Sequence, residues 1–137
     1  MPDAELLRRE LLGWFDAFAD CVRHRDFAGA ESLFDGRVIA FGTRNRIMHG
    51  LAELRERQWR PTWSTTREFR FLADTIHIHI CPAGTLGWGA AQWVSRGEPA
   101  GRPGFDRSGR ASLAFERDRG CWRCVHSHFS MTPSGDL

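Results

Sequence analysis

His126 and His128 are the side chains in this sequence best suited to move a proton at neutral pH. An imidazole titrates near pH 6.5, so either ring can serve as a general base. In a regular strand His126, His128 and Ser130 share one face with Trp122 and Cys124, because side chains alternate with period two. Arg110 lies in the segment before, and its guanidinium would hold a substrate carboxylate or enolate if that face lined a cavity. The same spacing suits hydrogen-bonded packing or a subunit contact, since a strand period fixes no partner. Asp35 and Asp74 sit at a helix end and a chain irregularity, where Asp often serves the backbone. Glu116 shares the phase of Arg110, and a pair between them would be structural.

Cysteine and histidine spacing raises the question of metal. Cys121 and Cys124 are three residues apart within one extended segment, which sends them to opposite faces, whereas a zinc knuckle needs a turn between its thiolates. His77 and His79 repeat the alternation of His126 and His128, but no carboxylate accompanies them. No metal and no cofactor are expected.

Composition narrows the chemistry further. All 19 basic residues are Arg, set against 17 acidic ones for a net charge of +2. Without lysine there is no Schiff-base or P-loop chemistry, and without tyrosine there is no phenolic oxyanion donor. The charges are scattered rather than striped, so nucleic acid is not an expected partner. No apolar run is long enough to span a bilayer and no signal pattern opens the chain, so a cytoplasmic location with reduced cysteines is expected.

Leu7, Leu11, Trp14, Phe15, Phe18 and Val22 have the spacing of a helix with one buried face, from about Ala4 to His24. Asp26 caps a shorter helix carrying Phe27, Ala30, Leu33 and Phe34, ended by Asp35-Gly36. Arg37 to Phe41 reads as a strand, and Gly50 to Arg60 as a third helix stopped by Pro61. From Thr66 the residues turn β-branched and aromatic, with strands near Arg67–Ile80, Leu86–Ser95, Arg110–Glu116 and Trp122–Ser130. Strands joined without helices form an antiparallel meander, and the apolar helix faces must cover one side of it. The apolar phase switches between Phe71 and Ile76, which predicts a bulge near Ala73-Asp74 and a curled sheet. The expected architecture is α+β: a cone-shaped, cystatin-like roll of three N-terminal helices on a curved antiparallel sheet. Residues 1–137 are one domain, with an ordered core of about 4–131.

The run Trp122-Arg123-Cys124-Val125-His126-Ser127-His128-Phe129-Ser130, followed by Pro133, resembles the last strand of SnoaL-like domains in the nuclear-transport-factor-2-like superfamily. It is also similar to the last strand of calcium/calmodulin-dependent kinase association domains. Gly109-Arg110-Ala111-Ser112-Leu113 resembles the start of the strand before it, and Asp26-Phe27 through Phe34 match earlier elements more loosely. The resemblance implies the cone fold with an internal cavity. The catalytic Asp and Tyr of ketosteroid isomerases fall nearest Phe41 and Phe18 here, so that mechanism in its usual form is absent.

The implied function is binding of a small, largely apolar carbonyl or carboxylate compound, with isomerase, cyclase or hydratase activity as the enzymatic form. Its site would combine His126 and His128 as catalytic groups with Arg110, Trp14, Phe18, Phe41, Trp59, Trp63 and Trp88 as ligand contacts. The alternative is a non-catalytic association module whose open sheet face pairs with another copy. A homodimer is expected under both. They differ in where His126 and His128 point: into a cavity, or into a subunit contact.

Overall fold

Asp3 starts the first helix by accepting hydrogen bonds from the Glu5 and Leu6 amides, and α1 runs Ala4–His24. Its C-terminus closes at Arg25 in the left-handed conformation, whose amide bonds back to Cys21 and Val22. The computed structural model describes residues 3–133, so both ends of the expected 1–137 domain lie outside the described residues. Asp26 then caps α2, Phe27–Glu31, through the Gly29 amide. That helix is shorter than its apolar pattern predicts, because Phe34 already belongs to strand β1, Phe34–Phe41.

The third helical segment departs from expectation at Pro61. It starts as α3, Leu51–Leu54, widens into a π-helical turn over Arg55–Trp59, and continues through the proline as α4, Arg60–Trp63. A proline inside a helix normally leaves the carbonyl four residues back without a donor. Here that carbonyl is Arg57's, and the Asn45 side-chain amide takes it at 2.8 Å. The same Asn45 nitrogen reaches the Gln58 carboxamide oxygen at 2.9 Å. The turn after β1 and the two-residue strand β2, Met48–His49, therefore support a helix the sequence alone would end.

The main sheet has the order β2-β1-β7-β6-β5-β3, with β4 also paired to β5. Its strands are β3 Thr66–Phe71, β4 His77–Ile80, β5 Leu86–Gly97, β6 Phe105–Asp118 and β7 Cys121–Met131. The long strand expected over Arg67–Ile80 is broken by a 3-10 turn at Ala73–Thr75 rather than bulged, and both halves pair with β5. The meander is antiparallel, but β1 joins β7 in parallel, a long-range pairing that local pattern does not reveal. The result is helices packed on one side of a curved, unclosed sheet.

Packing follows the inner phase of each strand. In β6 the buried residues are Gly109, Ala111, Leu113 and Phe115, and in β5 they are Gly89, Ala91, Trp93, Ser95 and Gly97. They meet Leu11, Trp14, Phe15 and Phe18 of α1 in a single aromatic-rich core. Gly87 and Gly89 do not leave room for a ligand. A Cβ at Gly89 would strike the Phe15 ring at 2.7 Å, so these glycines let α1 lie close to the sheet.

Candidate functional site

The strand registers decide which side chains share a site. Cross-strand partners lie on one face of a sheet, and Ser127 pairs with Leu113 on the inner face. Between Ala114–His126 and Phe115–Cys124 the β6–β7 ladder shifts by one residue. Trp122 and Cys124 therefore point into the core while His126, His128 and Ser130 point outward. The regular-strand expectation that all five share a face is corrected by this bulge.

His126 donates from Nδ1 to the Ile39 carbonyl at 2.8 Å, and the Phe41 ring lies 5.9 Å from His126 and 5.1 Å from His128. Arg110 is also on the outer face, exposed, with Nε 3.2 Å from Ser130 Oγ. Trp88 joins the same surface, 50% exposed and stacked on His79. The outer face thus gathers Phe41, Trp88, Arg110, His79, His126 and His128. The two His-x-His pairs do not converge there. β4 and β7 are separated by β5 and β6, a distance of roughly 14 Å at the usual strand spacing.

A cavity lies on the opposite, inner face, between the sheet and the third helical segment. Its walls are Phe18, Trp59, Trp63, Phe69, Trp93 and Phe129, with Leu54, Val22 and Phe34 beneath. Of the expected ligand contacts, Phe18, Trp59 and Trp63 line it from the inner side, and Phe41, whose ring lies against the two outward histidines, borders it only at the end of β1. Trp14 does not: it is 3% exposed and held in the core, with its indole N–H on the Leu33 carbonyl at 2.9 Å. Trp88, Arg110, His126 and His128 do not either, because the sheet stands between them and the cavity.

The open space is about 50 Å3, measured as positions available to the centre of a water molecule. At about 10–15 Å3 for each water, this holds about three to five waters, or about 100–150 Å3 of liquid. That is the scale of one aromatic ring with a small substituent, not of a steroid.

The polar groups of the cavity were not singled out by sequence. Gln58 projects from the π-helical turn, and its Nε2 donates to Thr43 Oγ1 at 3.3 Å. Gly42 leaves the space the carboxamide occupies, since a Cβ there would overlap it and force the Gln58 side chain to move. Ser95 and Arg107 face each other as a cross-strand pair on β5 and β6. The hydroxyls of Ser95 and Thr62 are buried without a hydrogen-bond partner among the described residues. Arg107 is half-buried and lies over Trp93, its guanidinium carbon 5.9 Å from the ring. Burial, and next the Arg44 charge, push its pKa below the usual arginine value. Among the described residues the lining contains no carboxylate, imidazole or thiol.

Residues 12–134 match the SnoaL-like domain family. The chain belongs to that family. This SnoaL-like domain matches no curated protein by sequence. Its fold is shared with a nuclear transport factor 2-like superfamily protein from Salmonella enterica serovar Typhimurium LT2, at TM-score 0.83 and 15% identity over 98% of this chain and 97% of that one. It is also similar to a Novosphingobium aromaticivorans protein provisionally named a scytalone dehydratase, at TM-score 0.79 and 13% identity, covering 97% and 89%. The association domain of C. elegans CaMKII matches at TM-score 0.73 and 16% identity, covering 92% and 96%. Neighbours with the cystatin-like fold confirm the expected fold class.

Away from the cavity, Cys81 occupies the turn between β4 and β5. The Thr85 hydroxyl and the Leu86 amide bond its sulfur and bring its pKa down to about 7. Cys124 is the opposite case, buried in the core, with its thiol pushed strongly up. Among the described residues no cluster of His, Cys, Asp or Glu is arranged to hold a metal ion. No helix among the described residues is long and apolar enough to cross a membrane.

Proposed function

We propose that this SnoaL-like domain binds a small, mainly apolar molecule in the inner-face cavity and does not process it through His126 or His128. The observation that carries this reading is the lining itself: aromatic walls with a few hydroxyls, one carboxamide and one guanidinium. A general base must come within about 2.6–3.2 Å of the proton it removes. Among the described residues the lining has aromatics to hold a ligand but no carboxylate, imidazole or thiol to act as that base. Binding is therefore favoured over isomerase or hydratase chemistry, whatever the provisional name of one neighbour implies for that protein.

The test is thermal shift with single-ring neutral compounds such as benzyl alcohol and p-cresol. The expected result is a melting temperature that climbs with concentration, since a ligand at a hundred times its Kd stabilises by about 2.7 kcal/mol. Ser127→Leu places added bulk in the cavity from β7 and should abolish the shift while the domain stays folded. A shift that survives Ser127→Leu places the ligand elsewhere and defeats the reading.

The outer face supports a second, compatible reading, association with another copy. Trp88 is 50% exposed, Leu86 53% and Phe41 37%, and all three lie on the same side of the sheet as the outward histidines. An apolar, aromatic surface of this kind on a soluble chain is characteristic of an interface. The named association domain among the structural neighbours is an analogy of fold in the same direction.

A further inference from the structure

We infer that the cavity's ligand is a small carboxylate, a single ring or its equivalent in size, with its anionic end held between the Arg107 guanidinium and the Ser95 hydroxyl. The inference rests on the cavity reading above and adds the chemical class.

The half-buried arginines supply the comparison. Arg55 meets Glu31 at 2.5 Å, Arg96 meets Asp106 at 3.0 Å, and Arg117 meets Glu10 at 3.0 Å. Each places its charge against a carboxylate, as a partly desolvated cation requires. Arg107 is the exception among the described residues. Its contacts are a hydroxyl, Thr66 Oγ1 at 3.4 Å, and a thioether, Met131 Sδ at 3.6 Å. The acid next to it in sequence, Asp106, points to the outer face and is committed to Arg96. Arg44 adds positive charge nearby instead of neutralising it.

An independent feature points to the same spot. Ser95 is 8% exposed, its hydroxyl has no partner among the described residues, and it is the residue directly across the ladder from Arg107. A buried hydroxyl without a hydrogen bond is costly to leave so. One carboxylate would accept from both the guanidinium and this hydroxyl, and would supply the charge that Arg107 lacks. Trp93 and Phe69 then offer apolar surface to the rest of the molecule, within a space that admits about one ring. A monoanion matches one guanidinium, whereas a phosphate dianion would leave charge and acceptors without donors in this apolar lining.

Calorimetric titration of benzoate, with benzamide and benzyl alcohol as near-isosteric neutral controls, tests the inference. The expected result is that benzoate binds at least about tenfold more tightly than benzamide. Arg107→Gln should weaken benzoate at least about thirtyfold and weaken benzyl alcohol far less, while Arg107→Lys restores part of the benzoate loss. Ser95→Ala should weaken benzoate and raise the melting temperature of the empty protein, since it removes the unpaired hydroxyl. If benzamide and benzyl alcohol bind as well as benzoate and Arg107→Gln changes nothing, the carboxylate assignment is overturned and the cavity reading stands. If none of the three binds wild type, both fall together. Circular dichroism of each variant checks that it is folded.

Discussion

Trp14→Ala should destabilise the domain by about 3–5 kcal/mol, the range for truncating a large buried aromatic. At this chain length that corresponds to roughly 10–20 °C in melting temperature. Trp14 stacks on Phe18 at 5.3 Å and meets Phe15, Phe34 and Phe115 edge-on at 4.8–5.6 Å. Its indole N–H bonds the Leu33 carbonyl, which also accepts the Cys124 amide at 2.9 Å. One side chain thus ties α1 to the start of β1 and to the bulge of β7. Trp14→Phe keeps most of the apolar area and should lose about 1–2 kcal/mol for the missing hydrogen bond. Urea denaturation measures both, and a Trp14→Ala loss below about 1 kcal/mol would mean the aromatic cluster does not hold the roll together.

The second large effect concerns the outer face. Trp88→Asp puts a charge at the centre of the exposed aromatic surface, between His79 on β4 and Ala114 on β6. If this face joins two copies, the substitution should cost at least about 2 kcal/mol of association, about thirtyfold in dissociation constant. Sedimentation at micromolar concentration should show wild type as a dimer and the variant as a monomer. The melting temperature of the dilute, dissociated protein should hardly change, because half of Trp88 already faces solvent. A wild type that is monomeric at these concentrations, or a variant that remains dimeric, would remove the outer face from the account.

Much of the fold was legible in the chain because its elements carry strong local patterns. The 3.6-residue period from Leu7 to Val22 marks α1 to within a residue of its ends, and Asp26 announces the cap of α2. What failed was non-local. Pro61 stops a helix unless something accepts the role of its missing N–H partner, and that something, Asn45, lies far back in a turn. The parallel pairing of β1 with β7 and the bulge at Cys124–His126 are set by strands meeting across the sheet, and one of these events reversed the facing of both histidines.

The placement of the cation is more instructive. Arg110 drew attention through motif resemblance, yet it shares the phase of Ser108, Ser112 and Glu116, the solvent phase of β6. Gly109, Ala111, Leu113 and Phe115 form the apolar phase, and Arg107 extends it by one step. Arg117 extends the same phase at the other end and meets Glu10, so an arginine continuing a buried phase was a readable sign of a charge aimed inward, and Arg107 is the one of the two without a carboxylate among the described residues. Ser95 gave no such sign, since its lack of a partner emerges only when β5 and β6 are in register.

In the proposed binding mode the ligand enters the inner face and never meets the outward histidines. The six tryptophans divide this question cleanly, because each has one indole N–H. Trp59, Trp63 and Trp93 line the cavity, Trp14 and Trp122 are in the core, and Trp88 is on the outer face. Titration of benzoate into nitrogen-15-labelled protein, followed through the indole resonances assigned by single Trp→Phe variants, reads the site directly. The expected result is saturable shifts at Trp93, Trp59 and Trp63 while Trp88 stays in place. Saturable shifts at Trp88 with the cavity indoles unmoved would contradict it.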